Sequence, residues 1–402
     1  MKVLMFSSGY YPDSCGGVET IVKELSEGLL DSKCEVTVLY SKEEFEKDEV
    51  YTCDGVKVIK MRSCICRKID NKFKTKINRY LQMYNIFNKK KIKKIIQSEA
   101  PDVIHVHMPR ILSYSVYKAA RECRIPTVAT LHECYSLWNY NPFLPMEYML
   151  DSTPTILCKL LRNCQKRATK DVKYILSPIY DLIEQYRNDG YFRNAIGIEV
   201  QNALRFDLKE AYREIEMKKE RLKNSLIRRY LYIGRLIQFK GLEVTLEAFH
   251  NWNVQNVELH IAGDGPLRYL VEQYSKIDKR IKYHGFVKKK DKEEIYRSTD
   301  VLLFNVSEIE TFGLVCLEGY YYGIPVIGSD TKAIKRIIDD GKTGTIVKEI
   351  SIHNIQIAMD KYIHYEDWYQ QINNCYEKIK QYEYQHFIQK NLKIYNKVIE
   401  KR

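Results

Sequence analysis

Two carboxylates eight positions apart open and close the run Glu310-Thr311-Phe312-Gly313-Leu314-Val315-Cys316-Leu317-Glu318. The apolar stretch Val301-Leu302-Leu303-Phe304 precedes it and Gly323-Ile324-Pro325-Val326-Ile327 follows. That order predicts a strand, a short loop and a helix. Open α/β sheets bind ligands outside the carboxyl ends of their strands, which is where Glu310 falls, with Glu318 about one turn into the helix. Both acids can then face one cleft. The first N–H groups of the helix, around Phe312 to Val315, have no intrahelical acceptor and favour an anion such as a diphosphate. Carboxylates accept hydrogen bonds from sugar hydroxyls, so two acids beside an anion site suit a polyhydroxylated phosphate ester.

A second junction supplies the opposite charge. Tyr230-Leu231-Tyr232-Ile233 reads as a strand entering Gly234-Arg235-Leu236-Ile237-Gln238-Phe239-Lys240-Gly241, and residues 242–249 continue as a helix. Arg235 offers a planar fork and Lys240 a point charge, together able to neutralise a diphosphate as it leaves.

These residues need a scaffold, and the pattern provides two halves of it. In the first, residues 3–7, 35–40, 103–107 and 127–131 read as strands and 18–30 as a helix, a parallel sheet of Rossmann type. Its first strand and helix are joined through Gly16-Gly17, where backbone can approach a ligand closely. Pro101-Asp102-Val103-Ile104-His105-Val106-His107 and Thr130-Leu131-His132-Glu133 end two further strands. The second half starts after Val200-Gln201-Asn202-Ala203-Leu204, with a connector helix over 209–223. Its later turns are Leu259-His260-Ile261-Ala262-Gly263-Asp264-Gly265-Pro266 and Tyr283-His284-Gly285-Phe286-Val287, and residues 350–402 read as helical and charged. The domains are therefore expected at 1–203, joined by a helix at about 385–402, and at 204–384.

Taken in order from Val3 to Gly344, these motifs resemble glycosyltransferase family 4. The resemblance implies a GT-B fold, two Rossmann-like doubly wound α/β domains facing a central cleft, with the C-terminal helix crossing back to the first. It implies a retaining transfer from a nucleotide sugar, UDP-linked by preference with GDP-mannose as an alternative. In that scheme Glu310 holds donor-sugar hydroxyls and Glu318 the ribose, beside Phe312, Gly313 and Leu314. Arg235 and Lys240 take the diphosphate. Gly16 and Gly17 face the donor phosphates and the acceptor, His132 meets the donor sugar as a neutral donor, and Gly285 and Phe286 lie in the loop that reads the base. Asn202-Ala203 departs from the family's usual Asn-Gly in the linker. No Asp-x-Asp occurs, so no metal and no cofactor are expected.

At 402 residues with 45% hydrophobic and 29% charged, the chain has the composition of a two-domain globular protein. No apolar run reaches the roughly 18 residues of a membrane helix. The eleven cysteines form no pair of C-x-x-C units, so reduced thiols in a cytoplasmic protein are expected. Charge is concentrated: residues 57–94 hold fourteen Lys or Arg against Asp70, an excess that equals the formal +13 of the whole chain. Ile77, Tyr80, Leu81, Tyr84, Phe87, Ile92, Ile95 and Ile96 recur there near helical spacing, a basic amphipathic helix suited to an anionic membrane surface or an acidic acceptor. No recognised nucleic-acid motif accompanies it. The expected role is peripheral, on the inner face of the cell membrane, with a saccharide or polyprenyl-linked acceptor in cell-surface polysaccharide synthesis such as capsule. A dehydrogenase is excluded because the first strand lacks G-x-G-x-x-G. A GT-B epimerase and a catalytically silent nucleotide-sugar-binding protein are the alternatives.

Overall fold

The computed structural model describes residues 1–14, 16–42, 46–63, 80–109, 111–133, 155–306 and 310–400. The chain divides into two compact units, Met1–Ala203 with Tyr384–Arg402, and Leu204–Glu383.

The first unit is built on eight strands: β1 (Lys2–Ser7), β2 (Glu35–Tyr40), β3 (Glu49–Cys53), β4 (Val56–Lys60), β5 (Val103–Val106), β6 (Thr127–Thr130), β7 (Tyr174–Ser177) and β8 (Ile196–Glu199). They lie in the order β3-β4-β2-β1-β5-β6-β7-β8. Every pairing is parallel except β3 with β4, a hairpin turned at Asp54-Gly55, both at positive φ. The uninterrupted apolar run Val3-Leu4-Met5-Phe6 is buried on both faces, as β5, β6 and β7 are, which is the requirement of a parallel sheet covered by helices. Helices α1 (Gly17–Asp31), α2 (Ile86–Glu99) and α3 (Ile156–Ala168) belong to this unit, together with the terminal helix Tyr384–Glu400. The terminal helix is tied in by Tyr384, whose hydroxyl donates to the Glu24 carbonyl at 2.7 Å.

The second unit has six parallel strands: β9 (Arg228–Ile233), β10 (Val257–Ala262), β11 (Ile281–Gly285), β12 (Val301–Phe304), β13 (Val326–Ser329) and β14 (Gly344–Val347). Their order is β11-β10-β9-β12-β13-β14. Helices α4 (Leu208–Asn224), α5 (Leu242–His250), α6 (Lys289–Ser298) and α7 (Leu314–Tyr321) follow in sequence. Tyr230, Phe249, Trp252, Tyr362 and Trp368 anchor its core.

In each sheet the chain builds outward on one side and then returns to the other. The order reverses between β1 and β5 and between β9 and β12, so the loops leaving those strands splay apart at their carboxyl ends and open a crevice. The β9 loop carries Arg235 and Lys240, and the β12 loop carries Glu310.

The basic segment is not one helix. Lys57 and Lys60 lie on β4, residues 64–79 fall outside the described residues, and α2 begins only at Ile86, capped by the Asn85 side chain on the Phe87 and Asn88 N–H groups. Ile92 and Ile96 pack inward while Ile86 and Phe87 stay exposed. Several cations are also spoken for: Lys57 pairs with Glu99, Lys60 with Asp13 and Glu49, Lys91 with Asp48, and Lys89 and Lys93 with Glu122. Lys90 and Lys94 have no ion-pair partner among the described residues.

Candidate active site

Gly241 is where the two loops of the second unit meet. Its φ is +64°, and a Cβ there would lie 1.7 Å from the Asn305 carbonyl oxygen just past β12. Only glycine lets the β9 loop run against the β12 strand end so closely. Lys240, the preceding residue, consequently reaches the β12 loop, where its ammonium pairs with Glu310 Oε2 and sits 5.5 Å from the Phe304 ring centre. Glu310 Oε1 also accepts from the Thr311 and Phe312 N–H groups at 3.2 and 3.3 Å. Burial raises the Glu310 pKa, but the Lys240 charge and those two amides outweigh it and hold the carboxyl below its ordinary value.

The Phe312 N–H is therefore committed to Glu310, and the expectation of open amides from Phe312 to Val315 narrows. Helix α7 starts at Leu314 after Gly313, whose φ is +87° and which supplies no side-chain cap. Its first amides, Leu314 and Val315, are the ones left to an anion. The Phe312 ring is buried, edge-on to Tyr382 at 5.8 Å.

Glu318, the fifth residue of α7, is held from α6: Lys292 donates to Oε1 at 2.6 Å and the Tyr296 hydroxyl to Oε2 at 2.8 Å. Sequence reasoning passed over Lys292 and Tyr296. Their i, i+4 spacing places both on one face of α6, the signal that was available. Each acid of the pair is thus compensated by a lysine. Arg235 is the contrasting case, exposed and with no ion pair among the described residues. The structure brings Lys240 to Glu310 but joins Arg235 to neither. Gly285 ends β11 at φ +66°, and Phe286 is exposed beside it.

In the first unit, Gly16 is the N-cap of α1 and Gly17 its first residue. A Cβ on Gly16 would meet the Glu19 carboxylate at 2.4 Å, and Glu19 Oε1 accepts the Ser8 hydroxyl at 2.8 Å, so this acid braces the glycine loop against the end of β1. His132 follows β6 and does not stand alone: its Nε2 lies 3.0 Å from His107 Nδ1, with the rings stacked 5.3 Å apart. His105 lies under His107 at 4.0 Å between ring centres. Burial lowers the pKa of all three, to about 4 for His132 and about 3 for His105, so each imidazole is neutral near pH 7. Among the described residues no group of three or more His, Cys, Asp or Glu is placed to hold a metal ion.

A twin Rossmann-like architecture with compensated acids at the reversal of its second sheet defines the class of α/β enzymes that bind ligands at strand carboxyl ends. Comparisons with known proteins agree. The family model described as Glycosyltransferase Family 4 matches residues 15–193 and that described as Glycosyl transferases group 1 matches 213–385. An alpha-monoglucosyldiacylglycerol synthase of Acholeplasma laidlawii is 26% identical over 90% of this chain and 89% of its own length. An uncharacterized 41.2 kDa protein in the cps region of Klebsiella pneumoniae is 30% identical over 47% of this chain and 51% of its own. Among solved structures, Anabaena HepE in complex with UDP-glucose superposes with a TM-score of 0.71 at 14% identity, covering 99% of this chain and all of its own. The chain belongs to glycosyltransferase family 4. It is a glycosyltransferase of GT-B fold and hexosyltransferase type.

Proposed function

We propose that this enzyme transfers a hexosyl group, with retention and without a metal ion, from a UDP-sugar to a saccharide or lipid-linked acceptor in bacterial cell-surface polysaccharide synthesis. GDP-mannose is the alternative donor. The donor belongs to the Leu204–Glu383 unit and the acceptor to the Met1–Ala203 unit. The observation that carries the reading is the Lys240–Glu310 pair beside the uncapped start of α7, at the reversal of the β9–β12 sheet. The UDP-glucose of the HepE complex, the glycolipid named in the Acholeplasma relative and the cps region of the Klebsiella relative support the finer terms.

The chemistry follows from charge. As the bond from the anomeric carbon to the diphosphate lengthens, negative charge grows on the phosphate oxygens and the sugar becomes oxocarbenium-like. Lys240, Arg235 and the Leu314 and Val315 amides stabilise the first, while Glu310 holds sugar hydroxyls and Glu318 the ribose. Before donor binds, Lys240 and Glu310 neutralise each other, so neither buried charge stands alone. The acceptor hydroxyl attacks from the face the phosphate leaves, and its proton passes to that phosphate, which gives retention. The chain's lack of Asp-x-Asp and its cations at the sheet reversal support metal-free transfer.

No helix among the described residues is long and apolar enough to cross a membrane. For the acceptor we place the enzyme peripherally on the inner, cytoplasmic face of the cell membrane. Ile86 and Phe87 are exposed at the start of α2, within two turns of Lys90 and Lys94 in sequence, and Ile156, Leu157 and Leu160 are exposed at the start of α3. Gln165, in the last turn of α3, donates to the Met83 carbonyl at 2.9 Å, which ties α3 to the residues just before α2. Apolar side chains beside free lysines fit an anionic bilayer.

A thermal-shift panel of UDP- and GDP-sugars tests the donor, since a ligand of the folded state raises the melting temperature. Product analysis by NMR with a glycolipid acceptor in EDTA tests the rest. An inverted product, or activity that returns only with Mg²⁺ or Mn²⁺, would overturn the mechanism.

A further inference from the structure

Strands β5 and β6 are parallel, with Ile104 opposite Thr127, His105 opposite Val128 and Val106 opposite Ala129. The alternation of a strand puts His105 and His107 on one face, and each reaches the residue two steps past its β6 neighbour. His105 Nε2 meets Thr130 Oγ1 at 2.7 Å, and its Nδ1 meets the Tyr395 hydroxyl at 2.6 Å, so both of its nitrogens are used. His107 Nδ1 meets His132 Nε2, but His107 Nε2 is buried with no hydrogen-bond partner among the described residues. His107 as a whole is 5% exposed.

That orphaned atom decides the proton's place. A neutral imidazole has one N–H and one lone pair. With its proton on Nε2, His107 would bury an N–H that donates to nothing, an arrangement folded proteins nearly always avoid. With the proton on Nδ1, His107 donates to His132 Nε2 and leaves only a lone pair unmatched. His132, accepting at Nε2, then carries its own proton on Nδ1.

We propose that His107 is a positioning residue that fixes His132 in the Nδ1–H tautomer, so that His132 acts through Nδ1 as a hydrogen-bond donor and not as a base. Its consequence for turnover rests on the reading of His132 as a substrate-facing residue; the tautomer itself does not. Acceptors of suitable chemistry are a donor-sugar hydroxyl or a phosphate oxygen.

Long-range ¹H–¹⁵N correlation of ¹⁵N-histidine-labelled enzyme at pH 7 tests it, with the His132 signals identified by their loss in His132→Gln. In the wild type, His132 Nδ1 should show the shift of a protonated nitrogen and Nε2 that of a bare one. His107→Leu should remove that bias and lower kcat by about tenfold, while His107→Asn, whose amide N–H replaces the imidazole Nδ1–H, should return kcat to within about threefold. A wild-type His132 protonated on Nε2 would refute the proposal, as would unchanged tautomer and kcat in His107→Leu. Wild-type turnover by His132→Gln would instead remove His132 from the substrate site and leave the tautomer to be judged by the spectrum.

Discussion

The carboxyl ends of the two sheets solve the same problem differently. In the Leu204–Glu383 unit, charged groups gather at the sheet reversal and each acid has a lysine: Glu310 with Lys240, Glu318 with Lys292. In the Met1–Ala203 unit, three imidazoles at the carboxyl ends of β5 and β6 are kept neutral by burial. A charge can be buried only with a partner, whereas a neutral donor needs only its hydrogen bonds. The first arrangement can yield a cation to an incoming diphosphate. The second can offer a neutral N–H, that of His132, to an oxygen acceptor without adding charge.

Mutation should separate these roles, and Lys240 should show the largest effect. Lys240→Ala should lower kcat by on the order of 10² or more, because it acts on charge that develops in the transition state. It also strands the Glu310 carboxylate, at a cost of about 2 kcal/mol in unfolding free energy. Arg235→Ala should lower kcat to a similar order with an unchanged melting temperature, since the exposed side chain holds no ion pair among the described residues. A pair of variants that lost stability equally would break the distinction between a compensated and an uncommitted cation.

On the first unit, charge reversal at Lys90 and Lys94 should weaken sedimentation with anionic vesicles by about tenfold or more, at roughly 1 kcal/mol per cation near the surface. Turnover on a short soluble acceptor should survive. Reversal at Lys89 and Lys93 would confound the test, because both already pair with Glu122. Unchanged vesicle binding in the Lys90/Lys94 variant would remove α2 from any membrane contact.

The pH response sharpens the comparison further. A histidine whose folded pKa is depressed binds a proton more readily when unfolded, so it lowers stability as pH falls below its unfolded value of 6.5. Each of His105, His107 and His132 adds up to about 1.4 kcal/mol per pH unit in that window, down to its folded pKa. The half-buried His260 contributes in the same direction in the second unit, with exposed His284 adding less. Glu310 has the opposite character: its lowered pKa adds stability above its ordinary 4.5, lost only as pH falls through the lower folded value. Native-state hydrogen exchange between pH 6.5 and 5 should therefore show β5 and β6 losing more protection than β9 and β12. Equal losses would mean that the imidazole cluster is not buried as described.

A separate effect, at alkaline pH, should come from Lys218 of α4, buried against the Thr299 carbonyl, with burial pushing its pKa down to about 7. Because the unfolded lysine holds its proton up to about 10.5, wild-type stability should rise with pH from 7 toward that value. Lys218→Met should flatten the rise.

Much of this was legible in the sequence. Strands 35–40 and 301–304 coincide with β2 and β12, because buried parallel strands are continuous apolar runs bounded by loop residues. The glycines at 241 and 313 marked the turns of the two loops that carry Lys240 and Glu310. Side-chain partners were less visible. Local pattern puts Lys292 and Tyr296 on one face of α6 but does not tell that this face closes on Glu318, since that contact depends on how α6 packs beside α7. The basic segment was only partly legible for a related reason: composition cannot show that it opens on β4, and periodicity cannot show that acids such as Glu99 and Glu122 come back to neutralise its lysines. His105 and His107 looked isolated because cross-strand neighbours are set by register.

The central claim, that Lys240, paired with Glu310 at the β9–β12 reversal, is the cation that takes the donor diphosphate, is tested most directly by calorimetric titration of UDP and of uridine into wild type and Lys240→Ala. UDP should bind the variant at least about tenfold more weakly, the loss of roughly one charge-assisted contact, while uridine binds both alike. Equal UDP affinity for the two proteins, or no UDP binding to the wild type, would contradict the account.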